Sequence, residues 1–477
     1  MNLLKKLFSS ENLVFKLLLL WVFVLSILYS LLSILRHIHF QSGGFDLGIY
    51  DQALYQYSNF LFPFNTIKER FILGDHLNLT LPLLSPLYWV FKDVNALLIF
   101  QAVFITLSTI AIYKLSLLRK FSPFVSFCIS FIYSIFWGIQ FAVFFDFHPI
   151  VLGVGLLSWA LYFLEAKKIK LFLITLILML LTQENMGLAL ASVGFIYIFK
   201  KEYRKTALFF IIGGIVAGLI SVKIIGLMSP VGYQYWPTFD LNSINLITKF
   251  FDSFDKRLVW FYSFSWFSFL PLLSPGTILA VAFDLSQYFL PQKQFGHMVT
   301  AFLHERAILA PIIILGLFDV LNFLHKRKIN ITVIAIFLVL SALLQQFIFH
   351  FPLNKLSKSD YLKQESWMVD NNKLFSEIPD KVSLATAQNL VPHLSQRNEI
   401  YLLYPRVKDM KDCKGCWWLE FGGKPQYMVL DLRPNQWATQ LLESNENFHK
   451  AVKNMENAKK ITKIKNINNA FLYKINY

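Results

Sequence analysis

Long apolar runs separated by short polar segments dominate the first 350 residues. A membrane-spanning helix needs roughly 20 mostly apolar residues. About eleven runs approach or reach that length, at about 13–35, 94–118, 122–144, 149–165, 169–183, 185–200, 206–228, 258–274, 276–290, 305–324 and 330–350. The region 258–290 admits two interpretations, namely two helices broken at Ser274-Pro275-Gly276 or one re-entrant hairpin.

The basic residues between these runs predict a single orientation. They cluster before the first run and in four of the connections, at Lys5 and Lys6, Arg119 and Lys120, Lys167 to Lys170, Lys200 to Lys205, and Lys326 to Lys328. With eleven spans, all of these clusters fall on one face, which the positive-inside rule makes cytoplasmic. The N-terminus is therefore predicted to be cytoplasmic, and the loop 36–93 and the chain after residue 350 extracytoplasmic.

The pattern changes in two places. In the loop 36–93, the segments 46–60 and 76–91 carry apolar residues at helical spacing, which predicts amphipathic helices at the membrane surface. After residue 350, apolar runs at 382–387, 399–404 and 427–432 predict buried strands, with helices near 358–374 and 435–457 and a hairpin at about 460–475. The predicted fold is a polytopic α-helical membrane module, 1–350, followed by an extracytoplasmic α/β domain, 351–477.

Composition and charge narrow the class of protein. Hydrophobic residues make up 56% of the 477 residues and charged residues only 16%, well below the usual share of a soluble domain. The formal net charge of +16 lies in the short clusters named above, which argues against a nucleic-acid partner. No P-loop or dinucleotide-binding glycine pattern occurs. Three cysteines are too few for a disulfide framework, and Cys413 and Cys416 are expected to form a local disulfide or to remain idle thiols.

Three carboxylates are candidates for chemistry. Asp46 opens the first loop, Asp146 lies in the short turn Asp146-Phe147-His148-Pro149, and Glu184 lies between two spans. The predicted topology brings them to one face, where we expect a common pocket at the outer leaflet. Carboxylates there could hold a divalent cation, Mg²⁺ or Mn²⁺, or take a proton from an attacking hydroxyl. The alternative for each is a solvated or ion-paired acid at a span end.

Histidines accompany these acids on the predicted outer face. His76 and His148 are candidates for binding phosphate, for ligating a metal or for donating a proton, and His304 for contacting the substrate or its phosphate. Asp46 and Asp146 would be the metal ligands, with His148 or Glu184. His148 precedes a proline, so a helix start is its structural alternative.

Several motifs, in order along the chain, resemble the DUF2079 family of predicted polytopic membrane proteins. They are FDLGIYDQALY from residue 45, GDHLNLTLPLLSPLY from 74, the DFHP turn, QENMGLALASVGFIYIF from 183 and HERAILAP from 304. That family looks like a branch of the GT-C glycosyltransferases, which take a sugar from a polyprenyl-phosphate carrier outside the cytoplasm. The resemblance implies that Asp46 is the acidic residue of the first external loop and Asp146 that of a second. Gln183 and Asn185 depart from the family pattern.

The predicted function is therefore that of a membrane glycosyltransferase. It would transfer a sugar from a polyprenyl-phosphate donor to an extracytoplasmic acceptor that is a lipid, a glycan or a protein, in contact with membrane lipids. Asp46 is predicted to be the base or metal ligand and Asp146 its partner. Two alternatives remain open: a transporter or flippase for a lipid-linked or anionic solute, and a non-enzymatic membrane scaffold or sensor.

Overall fold

The computed structural model describes residues 11–237, 246–291, 298–379, 381–403, 421–434 and 445–477, and it is mostly helical. Five helices are long and apolar enough to cross a membrane: Glu11–Ile38, Val94–Leu118, Lys201–Met228, His304–Lys326 and Ile331–Ile348. A sixth span would result if Pro123–Ser134 and Trp137–Phe144, which meet at 43°, act as one. The chain is thus built as a multi-pass membrane protein, and the count of eleven spans stays a prediction.

The described helices are numbered in chain order. They are α1 Glu11–Ile38, α2 Ile49–Ser58, α3 Pro86–Val90, α4 Val94–Leu118, α5 Pro123–Ser134, α6 Trp137–Phe144, α7 Pro149–Glu165, α8 Ile169–Leu180, α9 Met186–Tyr197, α10 Arg204–Met228, α11 Phe254–Ser265, α12 Pro275–Phe289, α13 Leu309–Lys326, α14 Ile331–Ile348, α15 Ser366–Phe375 and α16 Asn445–Asn457. The strands are β1 Phe64–Asn65, β2 Arg70–Phe71, β3 Leu384–Thr386, β4 Ile400–Leu402, β5 Tyr427–Asp431, β6 Ile461–Ile467 and β7 Ala470–Ile475.

Proline sets two helix boundaries that the sequence left open. The region 258–290 contains two helices, α11 and α12, with α12 starting at Pro275, and both interpretations of this region predict such a break. Pro149 likewise opens α7, with His148 as the residue before the helix and no side-chain cap. Proline suits a first helical turn because its missing N–H would have no partner there.

The first loop is less helical than expected. The segment 46–60 contains α2, preceded by a π-helical turn at Gly44–Gly48. The segment 76–91 contains only a short 3-10 turn, Leu81–Leu84, and the five-residue helix α3. Pro82 lies inside that 3-10 turn and removes a backbone donor, so the spacing of apolar residues there did not produce one continuous helix.

The chain divides into two compact units. The membrane unit comprises Met1–Ser33, His76–Thr80 and Leu98–Lys358, and the tail unit comprises Ile34–Asp75, Leu81–Leu97 and Ser359–Tyr477. Most of the first loop therefore belongs with the C-terminal residues. The predicted domain boundary, between 1–350 and 351–477, stays a prediction.

The tail unit is built on a five-stranded sheet of order β4-β3-β5-β7-β6. Strand β3 pairs in parallel with β4 and β5, whereas β7 is antiparallel to both of its neighbours. The predicted strands and the late hairpin are therefore confirmed, although each strand is shorter than its apolar run. Successive residues of β5 serve opposite faces: Met428 and Leu430 pack with Phe448 of α16, and Val429 packs with Leu374 of α15.

The first loop completes the tail unit. Phe40 and Ile67 belong to the same apolar cluster as Val429 on the α15 face of the sheet. At the sheet edge, the Thr66 hydroxyl donates to the carbonyl oxygen of Ile400 at 2.6 Å and accepts from its N–H at 2.9 Å. Covering an edge strand in this way protects its free backbone groups from pairing with another chain.

Candidate functional site

An ion pair between His76 and Glu184 lies at the centre of one polar cluster in the membrane unit. His76 Nδ1 donates to Glu184 Oε1 at 2.7 Å, although 108 residues separate them. Tyr233 donates to the same oxygen at 3.2 Å, and the ring of Tyr235 stacks on His76 at 4.7 Å. Burial alone would raise the pKa of Glu184, but the charge and hydrogen bond of His76 outweigh it, so this pKa lies below its ordinary value. Glu184 is therefore ionised at neutral pH.

A second pair of predicted residues lies in the same unit. The rings of His148 and His304 stack with 3.6 Å between their centroids. Gln101 of α4 holds the turn that presents His148, because its amide donates to the carbonyl oxygen of Asp146 at 3.1 Å and accepts from the His148 N–H at 2.8 Å. Asp146 is 1% exposed. A deeply buried acid two residues before His148 is a candidate for proton transfer.

The two pairs and Asp146 form one cluster, which we call the histidine cluster: His76, Asp146, His148, Glu184 and His304. His304 and the neighbouring Glu305 lie within electrostatic range of both His76 and His148, so the two pairs are close together. Five of the six predicted site residues therefore lie in the membrane unit, around a shared polar centre.

Sequence reasoning missed several residues around this cluster. Arg306 is fully buried, and its guanidinium lies over the ring of Tyr288 at 4.7 Å. The amide of Asn185, next to Glu184, donates to the Tyr288 hydroxyl at 3.4 Å. Asp284 is also buried, and neither carboxylate oxygen has a hydrogen-bond partner among the described residues. Buried charges in a membrane protein mark functional positions by default. For Arg306, the signal in the sequence was the charged pair Glu305-Arg306 in HERAILAP.

A separate charged cluster lies at the other end of the membrane unit. Arg119 donates to both carboxylate oxygens of Glu165 at 2.5 Å and to Asp319 at 2.9 Å. Lys200 pairs with Asp319 at 2.8 Å, and the Tyr197 hydroxyl donates to Glu165 at 2.5 Å. We call these residues the arginine cluster. Their charges are mutually neutralised, which is the usual way for ions to be tolerated at membrane depth.

The helices α4, α7, α9 and α13 run from the histidine cluster to the arginine cluster. Gln101 of α4 and Arg119, the residue after α4, are 18 positions apart along the chain, or about 27 Å at helical rise. On α7, His148 and Glu165 lie at opposite ends. A spacing of this size is close to the roughly 30 Å of a bilayer core. The histidine cluster therefore lies one membrane thickness away from the Arg119 end.

Asp46, the remaining predicted site residue, belongs to the tail unit. It lies half-buried in the π-helical turn Gly44–Gly48. This turn packs on the tail, with the Gly44 N–H donating to the carbonyl oxygen of Gln388 at 2.8 Å. A β-carbon at Gly48 would lie 2.7 Å from a methyl of Val391, so only glycine allows this approach. Gly48 of FDLG thus has a packing reason, and the catalytic role of Asp46 stays a prediction.

Asp51 connects α2 to the tail. Its carboxylate is fully buried and accepts hydrogen bonds from the hydroxyls of Tyr88 and Ser395, the latter at 2.5 Å, and from the Gln396 amide at 3.2 Å. Burial raises the pKa of Asp51 to about 6, while the bonds from Ser395, Tyr88 and Gln396 act in the opposite direction. These contacts give Asp51 a structural role in the tail unit.

The raised pKa of Asp51 predicts a pH effect on stability. Since the folded protein holds this proton more tightly than the unfolded chain, the contribution of Asp51 to stability falls as pH rises from about 4 to about 6, by roughly 3 kcal/mol in total. Asp51→Asn removes the charge at nearly constant shape. We expect the melting temperature of the wild type to fall relative to Asp51→Asn between pH 4 and pH 7, measured on the full chain in detergent. Asp360→Asn, an exposed acid, is the matched control; parallel profiles of all three proteins would contradict the prediction.

Metal binding gains no support from the geometry. Among the ranges that the structure describes, no three His, Cys, Asp or Glu side chains are arranged to hold a metal ion. The predicted Mg²⁺ or Mn²⁺ stays a prediction. Cys413 and Cys416 lie outside the described residues, and the third cysteine, Cys128, is buried in α5.

Comparison with known proteins gives one match. A family model described as "Predicted membrane protein (DUF2079)" matches residues 36–456, which is most of the chain. No curated protein matches the sequence.

Proposed function

Because the chain belongs to the DUF2079 family of predicted membrane proteins, we propose that it is a multi-pass membrane glycosyltransferase of GT-C type. The donor is a polyprenyl-phosphate sugar, and the acceptor is an extracytoplasmic lipid, glycan or protein. In this proposal the histidine cluster faces outward, the arginine cluster faces the cytoplasm, and the remaining apolar helices complete about eleven spans. The tail unit then lies outside the cytoplasm.

The histidine cluster carries the proposal. The imidazoles of His148 and His304, two carboxylates and the nearby Arg306 lie buried at one end of helices that are otherwise apolar, and the imidazole of His76 is half-buried there. Placing these groups away from water is costly, and a chain retains them where chemistry or transport requires them. Arginine and imidazole are suited to a phosphate, and a carboxylate is suited to receiving a proton.

The reaction needs one bond to form and one to break. The acceptor hydroxyl oxygen attacks the anomeric carbon, the bond from that carbon to the phosphate oxygen breaks, and polyprenyl phosphate leaves with the electron pair. A direct attack of this kind inverts the anomeric centre. Asp146 receives the hydroxyl proton, while His76, His148 and His304 contact the phosphate. Glu184 orients His76 through the bond at 2.7 Å.

One feature favours the alternative of a transporter. Helices α5 and α6 form a broken pair bent by 43°, and discontinuous helices near buried acids are common in transporters. A transporter would bind the lipid-linked sugar and leave it unchanged. The chemical state of the bound sugar therefore distinguishes the two functions.

The test is to identify the lipid that purifies with the protein and then to supply the donor. Mass spectrometry of the organic extract should find a polyprenyl phosphate or its glycosylated form. When a polyprenyl-phosphate sugar and membranes are added to the purified protein in vesicles, we expect free polyprenyl phosphate to accumulate with time. Heat-treated protein is the control. Bound glycosylated lipid that stays intact on incubation with every membrane acceptor fraction would contradict the enzyme and favour the transporter.

A further inference from the structure

The tail unit contains a polar cavity of about 350 Å³. The cavity is formed by the end of α1, the start of α4, α15 together with the residues just before it, and the turn after β3. It is lined by His37, Ile38, Asp51, Lys92, Asp93, Val94, Asn95, Gln364, Asn372, Pro392, His393, Leu394, Gln396 and Arg397. None of the six predicted site residues lines it, so this cavity is distinct from the histidine cluster.

Buried polar atoms in the cavity wall lack protein partners. Among the described residues, Nδ1 of His37, Nε2 of His393 and Oδ1 of Asn95 are buried without a hydrogen bond. His37 is 5% exposed, and its ring stacks on His393 at 4.0 Å. Burial and the neighbouring His37 hold the pKa of His393 well below its ordinary value, so its ring is neutral and can accept or donate one hydrogen bond. Buried polar atoms are normally paired, so these indicate a polar ligand.

The lining chemistry identifies the class of ligand. Two aspartates are balanced by one lysine and one arginine, so the wall has no net formal charge. Four of its residues are carboxamides, namely Asn95, Gln364, Asn372 and Gln396. A carboxamide both donates and accepts hydrogen bonds, which is also what a sugar hydroxyl does. The volume lies at the small end of ligand sites, which run from about 300 to 1,000 Å³.

We propose that this cavity binds a neutral sugar residue. Neighbouring hydroxyls of the sugar form hydrogen bonds with the carboxamides and with Asp93. Further hydroxyls form hydrogen bonds with the unpaired atoms of His37, His393 and Asn95. A free inorganic anion fits poorly because Asp51 and Asp93 share the wall. An apolar ligand would leave the buried polar atoms of His37, His393 and Asn95 without a partner. If the proposed glycosyl transfer is also correct, the natural occupant is the sugar of a glycan acceptor, and this last step alone rests on the proposed function.

The experiment measures sugar binding rather than transfer. The full chain in detergent micelles is titrated with methyl glycosides of glucose, mannose, galactose and N-acetylglucosamine, followed by saturation-transfer-difference NMR. We expect at least one glycoside to bind with a Kd of about 1–10 mM. The double variant Gln364→Ala/Asn372→Ala changes two exposed rim residues and should weaken that binding about tenfold. Lys373→Ala, on the next residue of α15 and outside the cavity wall, should bind like the wild type.

Each result decides the assignment. The assignment is wrong if none of the four glycosides binds saturably. It is also wrong if Lys373→Ala weakens glycoside binding as much as the double variant does. O-Phosphoethanolamine is tested in parallel, and binding of this zwitterion without any glycoside would assign the cavity to a phospholipid headgroup instead. If the protein binds a glycoside but never consumes the polyprenyl-phosphate donor, the sugar-binding inference holds and the proposed enzyme is contradicted. Protein that transfers sugar but binds no glycoside here contradicts this inference alone.

Discussion

Asp146→Asn is expected to slow sugar transfer by at least about 100-fold, the usual contribution of a positioned general base. The backbone around Asp146 is held by Gln101 through the Asp146 carbonyl and the His148 N–H, and neither bond uses the carboxylate. The variant should therefore fold. Because the base acts mainly in the transition state, kcat should fall while the KM for the polyprenyl-phosphate donor stays close to that of the wild type. The measurement is release of polyprenyl phosphate by protein in vesicles.

Glu202→Gln provides the matched control for this variant. Glu202 is an exposed acid two residues after Lys200 of the arginine cluster, and its loss should leave transfer unchanged. Asp46→Asn tests the other predicted acid in the same assay and is expected to lose transfer as well. If the wild type transfers sugar and Asp146→Asn transfers it at the same rate, Asp146 is not the general base and the assignment is wrong.

Gly214→Ala is expected to destabilise the membrane unit by about 2–3 kcal/mol. Helices α9 and α10 approach so closely that a β-carbon on Gly214 would overlap the carbonyl oxygen of Gly187, and the reverse holds for a β-carbon on Gly187. Small residues allow membrane helices to pack backbone against backbone, which replaces the hydrophobic driving force that lipid cannot supply. Since a carbonyl oxygen cannot rotate away, the helices would have to separate.

The neighbouring glycine gives the control. A β-carbon at Gly213 would meet its closest atom, on the Phe209 ring, at 3.7 Å, an ordinary contact. Gly213→Ala should therefore melt at or slightly above the wild-type temperature, because alanine is the better helix former. The measurement is thermal unfolding of purified protein in detergent, followed by the loss of monodisperse protein. Equal melting temperatures for the two variants would contradict the close packing of α9 on α10.

Local patterns predicted the elements of the fold well. The strands β3, β4 and β5 lie within the predicted apolar runs, because a buried strand needs only a few consecutive apolar residues. The long helices α1, α4 and α14 correspond to runs of span length. The short helices α7, α8 and α9 show why span counting is harder: each is apolar, yet each is shorter than the usual span. Hydropathy alone does not decide which of them cross a membrane.

Pairings between distant residues could not be predicted residue by residue. The sequence placed His76 and Glu184 on one face, but their hydrogen bond depends on how the loop packs on α8 and α9. Gln101 and Tyr288 are single polar residues on apolar helices, and nothing near them in the chain indicates a partner. Arg306 was visible in a motif, but its burial became clear only from the packing around Tyr288 and Asp284.

The bond from Ser395 to Asp51 has a consequence for biosynthesis. Its two residues are 344 positions apart, so at about 5–20 residues per second a ribosome needs roughly 20–70 s to make the second after the first. During that interval the newly made loop lacks the strands, the apolar cluster and the hydroxyl that complete its fold. Until residue 395 is made, its aromatic side chains need another apolar surface, such as the membrane interface or a chaperone.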